Sequence, residues 1–261
     1  MTLQEIGAAI AESRKSCKRL LKYPSPMPKS LEDAYIVQEH MARAMGEPVV
    51  GWKVGFTSAT ARKAAGVSEP LAGPLFQETI LGNGATVDVN VDDLKIVEAE
   101  IGFRLKGDLP PSKAPYTREA VVAAIGTVHP IFEIVNKRLP GDVKETPEWL
   151  VADGSINQAV VVGDGSAFDA KKPLTAETVV LSANDKPISE GIGANAMDDP
   201  VTVLVWLANH LSARGIPLKT GELVATGLLC DLVFGEVGIT YCADFQSLGT
   251  VTMAFANTSA S

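Results

Sequence analysis

Glu98 and Glu100 are separated by one residue in the run Ile96-Val97-Glu98-Ala99-Glu100-Ile101-Gly102-Phe103-Arg104-Leu105. Positions i and i+2 of a strand share a face, which sets the two carboxylates side by side, about 7 Å apart at the backbone. Two such anions repel unless water screens them or a cation sits between them. A hard divalent cation, with its preference for oxygen ligands, suits that place; the competing reading is the solvated face of an amphipathic strand. Glu133 interrupts the apolar run His129-Pro130-Ile131-Phe132-Glu133-Ile134-Val135. A carboxylate embedded there is costly unless it is paired or bound to metal, or points to water from an edge strand.

Lys53 lies in Gly51-Trp52-Lys53-Val54-Gly55, with a glycine two residues away on either side. The missing side chains leave space for a ligand beside the lysine stem. Such a lysine clamps a carboxylate or, with a lowered pKa, transfers a proton; it also reads as a surface lysine on a bent strand. A serine-hydrolase elbow, a Walker loop, a dinucleotide fingerprint and an HExxH motif are absent. The three histidines, His40, His129 and His210, are scattered. Acid–base work therefore falls to carboxylates and lysine.

The elements that must position these groups can be read from periodicity. Ile6, Ile10, Cys17, Leu20 and Leu21 form a loose helical stripe, broken at Tyr23-Pro24-Ser25-Pro26-Met27-Pro28. Ser30 with Asp33 opens a second helix that stops at Gly46. From Val49 the signal turns to strands: Val49 to Phe56, Ile96 to Leu105, Ile131 to Val135 and Ala159 to Val162. Thr117 caps a short helix leading to Gly126. Asp199 caps a helix over Pro200 to Gly215, whose Val203, Leu204, Leu207 and Leu211 read as core. Further short strands follow at Val224 to Thr226, Gly238 to Cys242 and Thr250 to Phe255. Strands outnumber helices after residue 49 without alternating with them, which predicts a β-rich α+β fold rather than a doubly wound sheet. The division expected is an N-terminal helical segment, 1–48, and a β-rich catalytic domain, 49–261.

Composition bounds the function. The 261 residues are 46% hydrophobic and 21% charged with net charge −8, an ordinary globular balance that argues against a nucleic-acid or anionic-membrane partner. No stretch reaches the ~20 apolar residues of a membrane span, and residues 1–21 lack the apolar core of a signal peptide. Cys17, Cys230 and Cys242 lack metal-site spacing and read as reduced thiols filling the core of a cytoplasmic protein.

In order along the chain, Gly51-Trp52-Lys53-Val54-Gly55-Phe56-Thr57-Ser58, Val97-Glu98-Ala99-Glu100-Ile101, Pro130-Ile131-Phe132-Glu133-Ile134-Val135 to Arg138, Ala152-Asp153, Pro200 with Trp206-Leu207-Ala208, and Leu218-Lys219-Thr220-Gly221-Glu222 to Ala225-Thr226-Gly227 resemble the fumarylacetoacetate hydrolase superfamily. The likeness is strongest to its branch of 2-oxopent-4-enoate hydratases and 4-oxalocrotonate decarboxylases of aromatic-compound catabolism. The resemblance implies a mixed β-roll or sandwich core with an N-terminal helical segment, assembled as a homo-oligomer. It implies that Glu98, Glu100 and Glu133 ligate Mg²⁺ or Mn²⁺ and that Lys53 faces the substrate. It also marks Leu71, Arg138 and Thr226 as substrate-binding positions.

Two departures bear on the reaction. Where hydratases of the branch carry an Asp in a Pro-Asp-aromatic-Gly motif, this chain has Pro70-Leu71-Ala72-Gly73; the decarboxylases are aliphatic there. The branch's Ala-Asp-Asn is here Ala152-Asp153-Gly154. Glu78 and Asp153 are the acids available to replace the missing Asp as proton shuttle. The activity expected is hydration of a small 2-hydroxydienoate or 2-oxo-enoate. The alternatives are decarboxylation of a 2-oxo-enedioate and an inactive subunit associated with a related pathway enzyme.

Overall fold

The structure, a computed structural model, describes residues 1–90, 92–141 and 145–258. Six α-helices occur among them: α1 (Leu3–Ser16), α2 (Leu31–Met45), α3 (Ala59–Ala65), α4 (Arg118–Ala124), α5 (Pro147–Ala152) and α6 (Pro200–Ala213). The strands are β1 (Val49–Gly55), β2 (Leu71–Phe76), β3 (Ile80–Gly82), β4 (Ala85–Val89), β5 (Ile96–Leu105), β6 (Ile125–Val135), β7 (Asn157–Val162), β8 (Ser166–Ala167), β9 (Thr178–Ala183), β10 (Lys186–Ile192), β11 (Leu223–Ala225), β12 (Val233–Phe234), β13 (Thr240–Phe245) and β14 (Gly249–Asn257). The fold is α+β, as the strand-rich pattern predicts.

Nine strands form the larger sheet in the order β2-β1-β11-β5-β6-β7-β3, with β12 paired to β5 and β8 to β6. The other five form a second sheet, β10-β9-β13-β14-β4, and β13 and β14 pack against β6. In the larger sheet β11 sits between β1, its parallel neighbour, and β5, its antiparallel one. That insertion carries the glycine-flanked lysine strand to within one strand of the glutamates.

The two faces of the larger sheet divide the chemistry. Val97, Ala99, Ile101 and Phe103 of β5, Trp52 and Val54 of β1 and Phe132 and Ile134 of β6 are buried in the main core. The opposite face presents Glu98 and Glu100, with Lys53, Ile131 and Glu133 on neighbouring strands. A separate small cluster, Leu75, Ile131, Val160, Leu223 and Ala225, is buried there.

The helices form where their caps predict. Ser30 accepts from the Asp33 N–H and Gly46 closes α2 at φ 75°; Asp199 accepts from the Val201 N–H, and Pro200 occupies the first turn of α6. Val203, Leu204, Leu207 and Leu211 are all buried. The N-terminal segment shares the main core: Ile6, Ile10, Val37 and Met41 belong to the cluster that holds Val54 and Ala72, and Gln38 donates to the carbonyls of Ala72 and Val151.

The structure corrects two expectations. β6 starts at Ile125, directly after α4, rather than at Ile131, because Val128 to Val135 are buried throughout and show no alternation. The cysteines do not fill the core: Cys17 is exposed, and Cys230 and Cys242 are partly so.

Candidate metal centre and active site

Antiparallel pairing of β5 with β6 sets Glu98 directly opposite Glu133 and Glu100 opposite Ile131. Directly opposed residues point to the same side of a sheet, so three carboxylates from two strands meet on one face. Each of Glu98, Glu100 and Glu133 offers an oxygen within 4.8 Å of the others'. Glu100 and Glu133 are fully buried and Glu98 is half-buried.

Lys53 enters from β1 across β11. Its register partners are Ala225 and Gly73, small residues on both sides. Nζ lies 3.1 Å from Glu133 Oε1, and the lysine itself is buried. Burial pulls its pKa down, but Glu133, Glu98 and Glu100 more than offset that and raise it. The carboxylates carry the opposite strain. Burial, and then the charge of Glu133, pushes Glu98 up to about 7; the same causes, joined by Glu98, hold Glu100 well above its ordinary value.

Two further groups fix the carboxylates. Asn157 Nδ2 donates to Glu133 Oε1 at 3.0 Å, and the Gly227 N–H donates to Glu100 Oε2 at 2.8 Å. The remaining oxygens, Glu100 Oε1 and Glu133 Oε2, are buried and find no hydrogen-bond partner among the described residues. Buried carboxylate oxygens are costly to leave unmatched. Three clustered carboxylates, two of them with an unmatched buried oxygen, and a single lysine beside them suit a hard divalent cation.

The other sequence-predicted residues fall into different surroundings. Asp153 is fully buried, but both oxygens are engaged: Oδ2 accepts from the Arg138 N–H at 2.7 Å, and Oδ1 from Arg138 Nε at 2.6 Å. Arg14 of α1 adds a contact at 3.8 Å. Asp153 and Arg138 thus hold each other, which leaves neither free as a proton shuttle or an open substrate ligand. Thr226 donates its hydroxyl to the Ile101 carbonyl at 2.7 Å, tying the loop after β11 to β5.

Glu78 is exposed, in a short 3-10 turn beyond β2. Lys53 pairs with Gly73 and Val49 with Phe76, so Glu78 lies past the opposite end of β1, at least about 10 Å along the strand. Ile80, two residues further on, pairs with Val160, which pairs in turn with Glu133, so the chain after Glu78 enters the sheet two strands from the carboxylates. Leu71 is fully buried in the main core. It lines a cavity of about 420 Å³ between α2 and α6 with Tyr35, His210 and Arg214.

Residues at the carboxylates that sequence reasoning missed are Asn157 and Gly227; Ser155 lies close by, across the space beside Gly55. Gly227 stands in a quoted motif, and its φ of +93° is the left-handed region that glycine adopts without penalty; Thr57 packs where a Cβ would go. Asn157 gives no local signal, since only the β6–β7 pairing brings it to Glu133. Ser155 belongs to a turn whose shape periodicity does not encode.

No family model matches the chain. Two curated relatives span it almost end to end. A 2-hydroxyhexa-2,4-dienoate hydratase of Comamonas testosteroni is 34% identical over 255 residues, 95% of this chain and 96% of the relative. A 2-keto-4-pentenoate hydratase of Paraburkholderia xenovorans is 30% identical over 257 residues, 97% and 94% of the two chains. Among solved structures, 4-oxalocrotonate decarboxylase from Pseudomonas putida G7, complexed with magnesium and adipate, superposes with a TM-score of 0.88 at 26% identity, over 97% of each chain. With the fold and the buried carboxylates, these likenesses place the chain in the fumarylacetoacetate hydrolase superfamily, and within it in the branch of 2-keto-4-pentenoate hydratases and 4-oxalocrotonate decarboxylases.

Proposed function

We propose that this chain is a magnesium- or manganese-dependent lyase that adds water to a small 2-hydroxydienoate or 2-oxo-enoate in the breakdown of aromatic compounds. The observation that carries the reading is the convergence of Glu98, Glu100 and Glu133, with two unmatched buried oxygens, beside Lys53. Glu98, Glu100 and Glu133 would hold the ion, with Glu133 and Glu100 steadied by Asn157 and the Gly227 N–H. Bound there, the ion supplies Lewis-acid stabilisation of the negative charge that develops on the oxygens of a 2-oxo acid.

The chain's own groups do the rest. Lys53 Nζ holds a proton at the edge of the carboxylate cluster and faces the substrate, which suits it to pass that proton or to orient an anionic oxygen. The aliphatic cluster of Leu75, Ile131, Val160, Leu223 and Ala225 shares the face and matches the short hydrocarbon part of a dienoate. Arg138 and Thr226 enter as supports of the walls, through Asp153 and the Ile101 carbonyl. Hydration of a 2-oxo-enoate consumes one water and forms one C–O and one C–H bond; from a 2-hydroxydienoate a second C–H bond forms as the enol O–H proton is given up on ketonisation, so neither route needs a redox partner.

Decarboxylation of a 2-oxo-enedioate is the second reading. The aliphatic Leu71 and the close superposition on a decarboxylase favour it, whereas the curated relatives named above favour the hydratase. A silent subunit associated with a related pathway enzyme is the third; the retained glutamates and Lys53 speak against it. The protein is read as a cytoplasmic homo-oligomer, and among the described residues no helix is long and apolar enough to cross a membrane. The deciding experiment incubates the purified protein and Mg²⁺ with 2-hydroxydienoates and 2-oxo-enedioates and weighs the products. A gain of one water supports the hydratase and a loss of CO₂ the decarboxylase. No conversion of either class counts against an active enzyme.

A further inference from the structure

The turn from Asp153 to Asn157 crosses the carboxylate-bearing face of the sheet at Gly73. A Cβ on Gly73 would sit 2.2 Å from the Gly154 carbonyl oxygen and 2.9 Å from Ser155 Cβ, so the turn lies directly on the strand that pairs with Lys53. A Cβ on Gly55 would sit 3.3 Å from Lys53 Nζ and 3.9 Å from Ser155 Oγ. The lysine ammonium and the serine hydroxyl therefore border the same small space left open by Gly55.

Three features of Ser155 are unusual together. It is only 2% exposed. Among the described residues no hydrogen bond engages its hydroxyl, and the oxygen is not one of the fully enclosed unpaired polar atoms, so it stays reachable from the space it borders. Its backbone is left-handed (φ 54°, ψ 33°), and so is that of the β-branched Ile156 (φ 54°). Non-glycine residues held in that region are strained and persist where the surroundings impose them. Here the surroundings are explicit. Asp153, at the start of the turn, is clamped by Arg138 and by Arg14 from α1, and Asn157, at its end, is bonded to Glu133.

Resting on the lyase reading above, we infer that Ser155 Oγ is a substrate contact. It hydrogen-bonds the substrate oxygen remote from the 2-oxo acid group, the hydroxyl that hydration places on C4, and so supplies in this chain the polar group that Leu71 does not. Lys53 serves the near end of the substrate and Ser155 the far end, and the clamped turn sets the spacing between them.

The test compares two small acids binding to the Mg²⁺-loaded protein by calorimetry: 4-hydroxy-2-oxopentanoate, which has the remote hydroxyl, and 2-oxopentanoate, which lacks it. Ser155→Ala should weaken the hydroxylated acid about tenfold, the loss of one neutral hydrogen bond, and leave 2-oxopentanoate unchanged. Ser155→Gly, which accepts the left-handed backbone, should show the same selective loss with a melting temperature no lower than that of the parent. Equal weakening of both acids, no weakening of either, or full recovery in Ser155→Gly overturns the contact. So does failure of the parent protein to bind either acid. If the parent protein turns over no dienoate yet shows the selective loss, the lyase reading falls while the Ser155 contact stands.

Discussion

Gly227 and Glu100 are joined by a 2.8 Å hydrogen bond from the glycine N–H to the carboxylate Oε2, so the loop after β11 fixes a carboxylate that belongs to β5. That glycine adopts φ +93° and packs against Thr57 so closely that a Cβ would lie 2.4 Å from the threonine Oγ1. Gly227→Ala is expected to shift the loop, free Glu100 and weaken Mg²⁺ binding, measured by calorimetry. An alanine variant with parental affinity would separate the loop from the metal site.

Glu98→Gln and Glu133→Gln each remove one negative oxygen donor from a hard-cation site. Both variants should bind Mg²⁺ more weakly and turn over substrate hardly at all. Removing the metal from the parent protein should lower its melting temperature; linkage gives about 2.7 kcal/mol of stabilisation at a free metal concentration one hundred times Kd. A melting temperature insensitive to both chelator and Mg²⁺ contradicts the assignment.

Lys53→Met should keep metal binding and lose at least about a hundredfold in rate, the low end for a positioned acid–base group. Because Lys53 is the cation against Glu133, the variant should also depend more on Mg²⁺ for its thermal stability than the parent does. Near-parental turnover would return the lysine to a structural role.

Asp153→Asn distinguishes a shuttle from an anchor. Breaking a buried pair by removing one partner costs roughly 3–5 kcal/mol, and Asp153 pairs with Arg138 at 2.6 Å. The expected result is a marked fall in melting temperature together with lost activity. Lost activity at parental stability would instead restore Asp153 to proton transfer.

Leu71→Asp sets a carboxylate into the main core beside α2 and α6. The structure therefore predicts a destabilised protein, by several kcal/mol if the carboxylate stays buried and unpaired, with an unchanged ratio of hydration to decarboxylation. A stable variant with a shifted ratio would show that Leu71 reaches the substrate.

The site was legible in sequence where one residue pair or one glycine frame carried the information. Glu98 and Glu100 share a face because β5 alternates cleanly; of the glycines around Lys53, Gly55 does leave space, bordered by Ser155, whereas the room beside Gly51 is taken by the Leu223 backbone. The pairing of Glu133 with Glu98 depended on strand register, which no local pattern reveals. Strand β2 was hidden because all six of its residues are buried and Gly73 and Pro74 interrupt it. β9 alternates in burial but carries Val180 on its exposed side, which blurs the alternation. Asp153 was identified as an acid of interest, yet its arginine partners lie in α1 and after β6, too far along the chain for spacing to expose the clamp.

The placement of β11 between β1 and β5 has a consequence for biosynthesis. Gly51 must wait for Leu223 to leave the ribosome before the parallel β1–β11 ladder can form. Until then the lysine strand has no bridge to the glutamate strands, and the Gly227 amide that orients Glu100 does not yet exist in the chain. A topology with such distant pairings folds slowly. Assembly of the whole site is thereby deferred to a nearly complete polypeptide: a truncated or stalled product that ends before β11 carries Glu98, Glu100 and Glu133 but neither the bridge to Lys53 nor the Gly227 amide.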